Sequence, residues 1–343
     1  MEKHKKVVYL FGAGATHAEV MNMHKDLTTR IIEEKGLLIK HVSKRVIAKA
    51  KKDKDFIKDI EYIMRSDRPS NIEELVSLIE TNRIEKALEK ADRLRNLVED
   101  DISSHLQGDK KSNGPVLYKS LFELHKKIGK KEEVLGLITL NYDNLLDKAY
   151  KEILGKEPNY CTRFGSRNDL PRNDLPLLKL HGSFEWPTIK MGKNEFRVPI
   201  MPLGIRKNYL ELPFNFIWGR AGEILAECDT LRIIGSSLDQ NDWGLIDLLF
   251  KSHLWKGESY EIEIIDFDDT GRDIRQHFGF LPRITKAREI ESGIIAERMQ
   301  NPAEDPLANP FKIWLDAKAR RMLNKDEIAS TIYLKQVCGG VIL

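Results

Sequence analysis

Two hydrophobic rhythms alternate along the chain. Val7 to Phe11 is an unbroken apolar and aromatic run, the pattern of a strand buried on both faces, as in a parallel sheet. It stops at a "GAGA" turn, residues 12 to 15, and helical spacing follows. Four more runs, "EVLGLITLN", "LPLLKLHGS", "TLRIIGSSL" and "YEIEIIDFDD", repeat the strand pattern, most of them followed by helix-like stretches. Strands alternating with helices predict an α/β fold built on a Rossmann-like open parallel sheet, with a ligand site along the C-terminal ends of its strands. Between the first two strands the rhythm is helical. Ile72, Leu75, Val76, Leu78 and Ile79 form an apolar stripe, with Ser70 or Asn71 as the N-cap and glutamates in the first turn. This predicts a helical insertion or lid at about 36–130, within a domain spanning 1–282. "TIKMGKNEFRVP" has the pattern of a small hairpin. Beyond Pro282 the strand pattern weakens into loop and amphipathic helix such as "FKIWLDAKARRML", so 283–343 is expected to be a helical C-terminal extension suited to oligomer or partner contacts.

Length and charge narrow the classes. A chain of 343 residues has room for one large α/β domain with insertions, or for two domains. No run approaches the length of about twenty apolar residues needed to cross a membrane, and "MEKHKK" does not lead into a signal-like segment. A cytoplasmic protein with no membrane partner is expected. The 56 basic residues nearly cancel the 53 acidic ones, so bulk charge gives no reason to expect direct nucleic-acid binding. The basic run "KAKKDKDFIKD" is interleaved with aspartates and suits a solvated helix face. Cys161, Cys228 and Cys338 are odd in number and never in C-x-x-C spacing. Buried free thiols are expected, without a disulfide framework or a zinc site.

The candidate chemistry lies at the strand ends. Gly12 and Gly14 let the backbone turn tightly, and a helix starting near Thr16 would point free amides at an anion. Such a turn serves either a pyrophosphate or an ordinary strand-to-helix connection. The dinucleotide fingerprint G-x-G-x-x-G needs glycine at position 17, where this chain has His17, and the region expected to supply a ribose-binding acid reads "TTRIIEEKG", which is helical. A standard nicotinamide dehydrogenase is therefore disfavoured. Asn141 and Asp143 follow a buried strand, where Asp143 either caps the next helix or meets a ligand. His181 ends another strand just before Gly182, as a structural or a catalytic histidine. Gly235, Ser236, Ser237 and Asp239 end a third strand, and Asp266 with Asp268 end a fourth, placed for a carboxylate on ribose hydroxyls.

"FGAGAT", "TLNYDNLL", "LKLHGS" and "IIGSSLDQND", in this order, resemble the sirtuin-like (SIR2) NAD-binding domain, specifically the prokaryotic SIR2-like proteins of antiviral defence. The resemblance spans roughly residues 5 to 270 through short motifs, of which "LNYDNLL" followed by "KLHGS" is the most specific. It implies phosphate contact by Gly12, Ala13, Gly14 and Thr16, and a nicotinamide-ribose role for Asn141 and Asp143. It further implies catalysis by His181, and Ser236 with Asp239 on the dinucleotide's adenosine side; Gly235 and Asp266, at their strand ends, are further candidate cofactor contacts. Protein-deacylating sirtuins carry a four-cysteine zinc ribbon after the histidine, and this chain has "EWPTIKMGKNEFRVP" there. That departure moves the implied activity from deacylation toward hydrolysis of NAD+, with NAD as substrate and no metal. The resemblance also implies NAD+ depletion during phage infection, a homo-oligomer, and a partner such as a helicase-like ATPase. A NAD-dependent deacylase or ADP-ribosyltransferase and a non-catalytic NAD or ADP-ribose sensor are the alternatives.

Overall fold

The protein is described by a computed structural model covering residues 4–24, 28–81, 85–106, 114–128, 132–162, 174–184, 186, 188–191, 194–197, 201, 209–238, 242–256, 260–266, 274, 284–286 and 309–322. Six parallel strands form one sheet: β1 (Lys5–Phe11), β2 (Glu132–Thr139), β3 (Leu177–Lys179), β6 (Thr230–Ile234), β7 (Glu261–Ile265) and β8 (Ile284–Lys286). Their spatial order is β3-β2-β1-β6-β7-β8. The chain winds outward from β1 to β3, then crosses back to the other side of β1, which makes the β1/β6 boundary the topological switch point of a doubly wound sheet. β4 (Thr188–Met191) and β5 (Asn194–Arg197) form the expected antiparallel hairpin outside the sheet. β8 lies past residue 282, and its parallel pairing with β7 carries the sheet into the segment assigned to the C-terminal extension.

Side-chain alternation along the buried strands separates two cores. Val7, Tyr9 and Phe11 face α1 (Ala13–Asn22), α7 (Val116–Ile128), α8 (Leu145–Leu154) and α11 (Pro310–Met322). Val8 and Leu10 face α9 (Phe214–Glu227) and α10 (Trp243–Lys256). Between β1 and β2 the described residues are helical: α2 (Thr29–Lys35), α3 (Ile39–Ala50), α4 (Lys54–Ser66), α5 (Ile72–Thr81) and α6 (Ala87–His105) precede α7. Buried Ile72, Leu75, Val76 and Ile79 of α5 belong to the same continuous core as β1, so this insertion is a packed layer of the domain. At its start Asn71 Oδ1 accepts from the Glu74 amide at 3.0 Å, and the Glu74 carboxylate accepts in turn from Ser70. Within the basic run, Lys49 pairs with buried Asp101 of α6 at 2.7 Å. α11 docks on its own chain, burying Phe311, Trp314 and Leu315 in the β1 core.

Register aligns the strand ends. Phe11 is level with Thr139 on one side and Ile234 on the other, Thr139 with Lys179, and Ile234 with Ile265. The next residues of five strands therefore emerge along one edge: Gly12, Leu140, Leu180, Gly235 and Asp266.

Candidate functional site

At the switch point the two glycine turns touch each other. α1 begins at Ala13 with Gly12 as its extended N-cap, earlier than the expected start near Thr16. The Gly12 amide donates to Ile234 O at 3.0 Å and the Gly14 amide to Gly235 O at 2.8 Å. Gly235 has φ +63°, a conformation that favours glycine. A Cβ on Gly12 would lie 2.5 Å from Gly235 O, and one on Gly14 would lie 2.7 Å from Gly235 Cα. The glycines thus admit the neighbouring backbone, and the Gly12 and Gly14 amides are engaged within the protein rather than directed at an anion.

Next to this contact Asn141, Thr16 and Asp143 form one hydrogen-bonded chain. Asn141 Nδ2 donates to Gly12 O at 2.8 Å and to Thr16 Oγ1 at 2.9 Å. Thr16 Oγ1 donates to Asp143 Oδ2 at 2.7 Å, with the buried Tyr118 hydroxyl 3.4 Å away. Asp143 Oδ1 accepts from the Leu145 amide at 2.9 Å, so the helix-capping role is also filled. Burial raises the Asp143 carboxyl's pKa despite the nearby Lys179 cation. Lys179 was not anticipated. It is fully buried in edge strand β3, donates to the Asp143 carbonyl, and pairs with Asp147 Oδ2 at 2.8 Å, while Tyr160 donates to the other oxygen of Asp147 at 2.6 Å. This cation pins the Asn141–Asp143 turn from beneath. Its spacing, two residues before His181, was the available signal.

His181 is 5% exposed. Its ring lies 5.8 Å from that of Tyr142 and 6.5 Å from that of Trp218, centroid to centroid. Nδ1 sits 3.1 Å from Leu140 O. Because a carbonyl only accepts, Nδ1 carries the hydrogen, which leaves Nε2 as the nitrogen that determines the ring's chemistry. Nε2 lies 2.9 Å from Asp242 Oδ2, yet off the line of a well-directed hydrogen bond. Asp242, also missed from sequence, immediately precedes α10 and accepts from the Leu245 amide at 3.3 Å. The strand ends therefore bring Asn141, Asp143 and Thr16 into direct contact, and tie His181 to Leu140, the residue before Asn141.

The remaining expected residues are placed less closely. Ala13 opens α1. Ser236 is buried and its Oγ accepts from the Leu238 amide at 3.3 Å, closing its own turn. Asp266 follows β7 at the same edge, half-buried. Asp239 and Asp268 lie outside the described residues. Cys228 is buried and Cys161 half-buried, both free, with thiols pushed up by burial to about 12 and about 11. Cys338 lies outside the described residues. Among the described residues no three His, Cys, Asp or Glu side chains converge as a metal site, and no helix is long and apolar enough to cross a membrane.

Residues 136–246, from β2 through Asn141, Asp143 and His181 into α10, match the model of a family described as SIR2-like domain. Among solved structures, a Sir2 homolog in complex with NAD shares 12% identity over 94% of this chain and 92% of that one, with a TM-score of 0.43. A mutant Sir2 homologue in complex with ADP-ribose shares 12% over 94% and 96%, with a TM-score of 0.41. A third, from work on the mechanism and regulation of Sir2 enzymes, shares 15% over 96% and 94%, with a TM-score of 0.37. No curated protein matches the chain.

Proposed function

We propose that the protein is an NAD+ glycohydrolase, cleaving NAD+ with water to ADP-ribose, nicotinamide and a proton, and that it acts as an antiphage effector by depleting NAD+. The observation that carries this reading is the placement of Asn141 and His181 at the ends of adjacent parallel strands, inside the SIR2-like match and joined through Leu140. Breaking the nicotinamide–ribose bond passes through an oxocarbenium-like state, which favours a desolvated pocket and a group that takes up a proton. His181, packed between Tyr142 and Trp218 with Nδ1 held by Leu140, offers Nε2 to a ribose hydroxyl or to the attacking water. Asn141, fixed by Gly12 and Thr16, orients the ribose or the water without adding charge. Asp143, Thr16 and Lys179 hold that turn in place. Ala13, Gly235, Ser236, Asp239 and Asp266 are the proposed contacts along the dinucleotide.

The test is incubation of the folded protein with NAD+ and no acceptor, followed by product analysis. Free ADP-ribose is expected, and NAD+ that is turned over only when an acyl-lysine peptide is present would make the protein a deacylase instead. His181→Ala and Asn141→Ala should each lower turnover by at least about a hundredfold per folded molecule, and the double variant should be barely worse than the worse single one. If His181→Ala lowers the melting temperature but leaves turnover of the surviving folded protein near normal, His181 is a packing residue and the proposal fails.

A further inference from the structure

We infer that Asp242 is a latch on His181, holding the ring nitrogen that the reaction needs until the first turn of α10 moves. The inference rests on the reading of His181 as the proton-handling group. A carboxylate that orients a catalytic histidine bonds the nitrogen opposite the reacting one. Here that position is taken: the Leu140 carbonyl fixes Nδ1 at 3.1 Å. Asp242 faces the other nitrogen, at 2.9 Å, in a pocket where both side chains are nearly inaccessible, 5% exposed for each residue. Two acceptors do not face each other across that distance without a proton between them, so Nε2 has no lone pair free for a substrate hydroxyl or water while Asp242 stays. The contact is close but poorly directed, leaving Nε2 without a well-formed hydrogen bond despite its burial. Such a contact is readily exchanged for a better one.

The fold shows how it would be released. Asp242 caps α10, its carbonyl accepting from the Ile246 amide at 3.1 Å and its side chain from the Leu245 amide at 3.3 Å. Carboxylate and helix end therefore move together. The next residue, Trp243, is 69% exposed, so the peptide unit that carries the latch also reaches the surface. A displacement of this first turn withdraws the carboxylate from the ring, while Tyr142, Trp218 and Leu140 keep the ring in place.

Asp242→Ser separates the latch from the cap, because serine caps helices well but is too short to reach the ring. Asp242→Asn, another good cap, controls for the fold, since its amide still reaches Nε2. Two measurements on the full chain test the inference. The first is 15N NMR of histidine-labelled protein, with the His181 ring signals identified by their loss in His181→Ala. Nε2 should have the shift of a nitrogen sharing a proton with Asp242 in the wild type and that of a free acceptor in Asp242→Ser. A free-acceptor shift already present in the wild type overturns the latch, whether or not the protein cleaves NAD+. The second is NAD+ cleavage per folded molecule, expected to rise at least about tenfold in Asp242→Ser. Equal or lower cleavage means that Asp242 assists the histidine, which also overturns the latch. A changed ring signal with no cleavage in either protein supports the latch and counts against the glycohydrolase reading.

Discussion

Replacing Arg232 by methionine should destabilise the protein by about 3–5 kcal/mol at neutral pH. Arg232 lies on β6, fully buried on the α11 side of the sheet. Its Nη1 and Nη2 donate to the two oxygens of Glu132 at 2.6 and 2.8 Å, its Nε to Glu263, and Nη1 also to the Tyr9 hydroxyl at 2.9 Å. The guanidinium stands 5.5 Å from the ring centroids of both Tyr9 and Trp314 of α11. Without it, Glu132 keeps Lys318 at 3.0 Å and Glu263 keeps Lys5 at 3.7 Å. The size of the loss can be read from Glu132. Burial pushes its carboxyl up, but Arg232 and Lys318 together bring it down from 4.5 to about 2. That difference corresponds to roughly 3 kcal/mol at pH 7, on the scale expected for breaking a buried pair. Because the folded value lies below the unfolded one, this stabilisation is complete above about pH 4.5 and fades as pH falls toward 2. For a chain of 343 residues the unfolding entropy is about 0.7 kcal/mol per degree, so the melting temperature should drop by roughly 4–7 °C. Urea titrations of wild type and Arg232→Met at pH 7 and at steps below 4.5 give the comparison. A difference under about 1 kcal/mol at pH 7, or one that does not narrow in acid, refutes the reasoning.

Gly14→Ala should destabilise rather than merely weaken ligand binding, because its Cβ would stand 2.7 Å from Gly235 Cα and 2.9 Å from Gly235 O; a loss of about 1–3 kcal/mol is expected in a thermal melt, and an unchanged melt contradicts the turn-to-turn contact. Glu19 of α1 accepts from the amides of Val116, Leu117 and Tyr118 at the start of α7, and burial raises its carboxyl from 4.5 to about 7 against the pull of those amides. A raised folded value means that its contribution is complete below about pH 4.5 and is lost as pH rises through about 7, so wild-type melting temperature should fall across that window and Glu19→Gln should flatten the slope in melts recorded from pH 4 to 8.

The strands and the edge that collects their ends were legible in the sequence because each depends on local pattern: an unbroken apolar run reads as a doubly covered strand, and Gly12, Asn141, His181 and Gly235 sit where such runs stop. What a side chain meets across the sheet was not legible. Gly14 lies in the first turn of a helix, as in a phosphate turn, yet the space its missing Cβ leaves is filled by Gly235, more than two hundred residues away in the chain. β8 was missed because three residues, Ile284 to Lys286, are too short to set a period. α11 has an amphipathic stripe whose partner no pattern names, and it turned out to be Tyr9, Phe11 and Tyr118 of the same chain. The polar residues show the limit most clearly. Lys179, Asp147 and Arg232 read as surface charges on apolar elements, but each is buried because an opposite charge from another strand or helix waits for it. Asp242 reads as a helix cap, which it is. Only the fold brings that cap to the nitrogen of His181 that faces away from Leu140, and there one carboxylate holds both a helix end and the histidine on which the proposed chemistry depends.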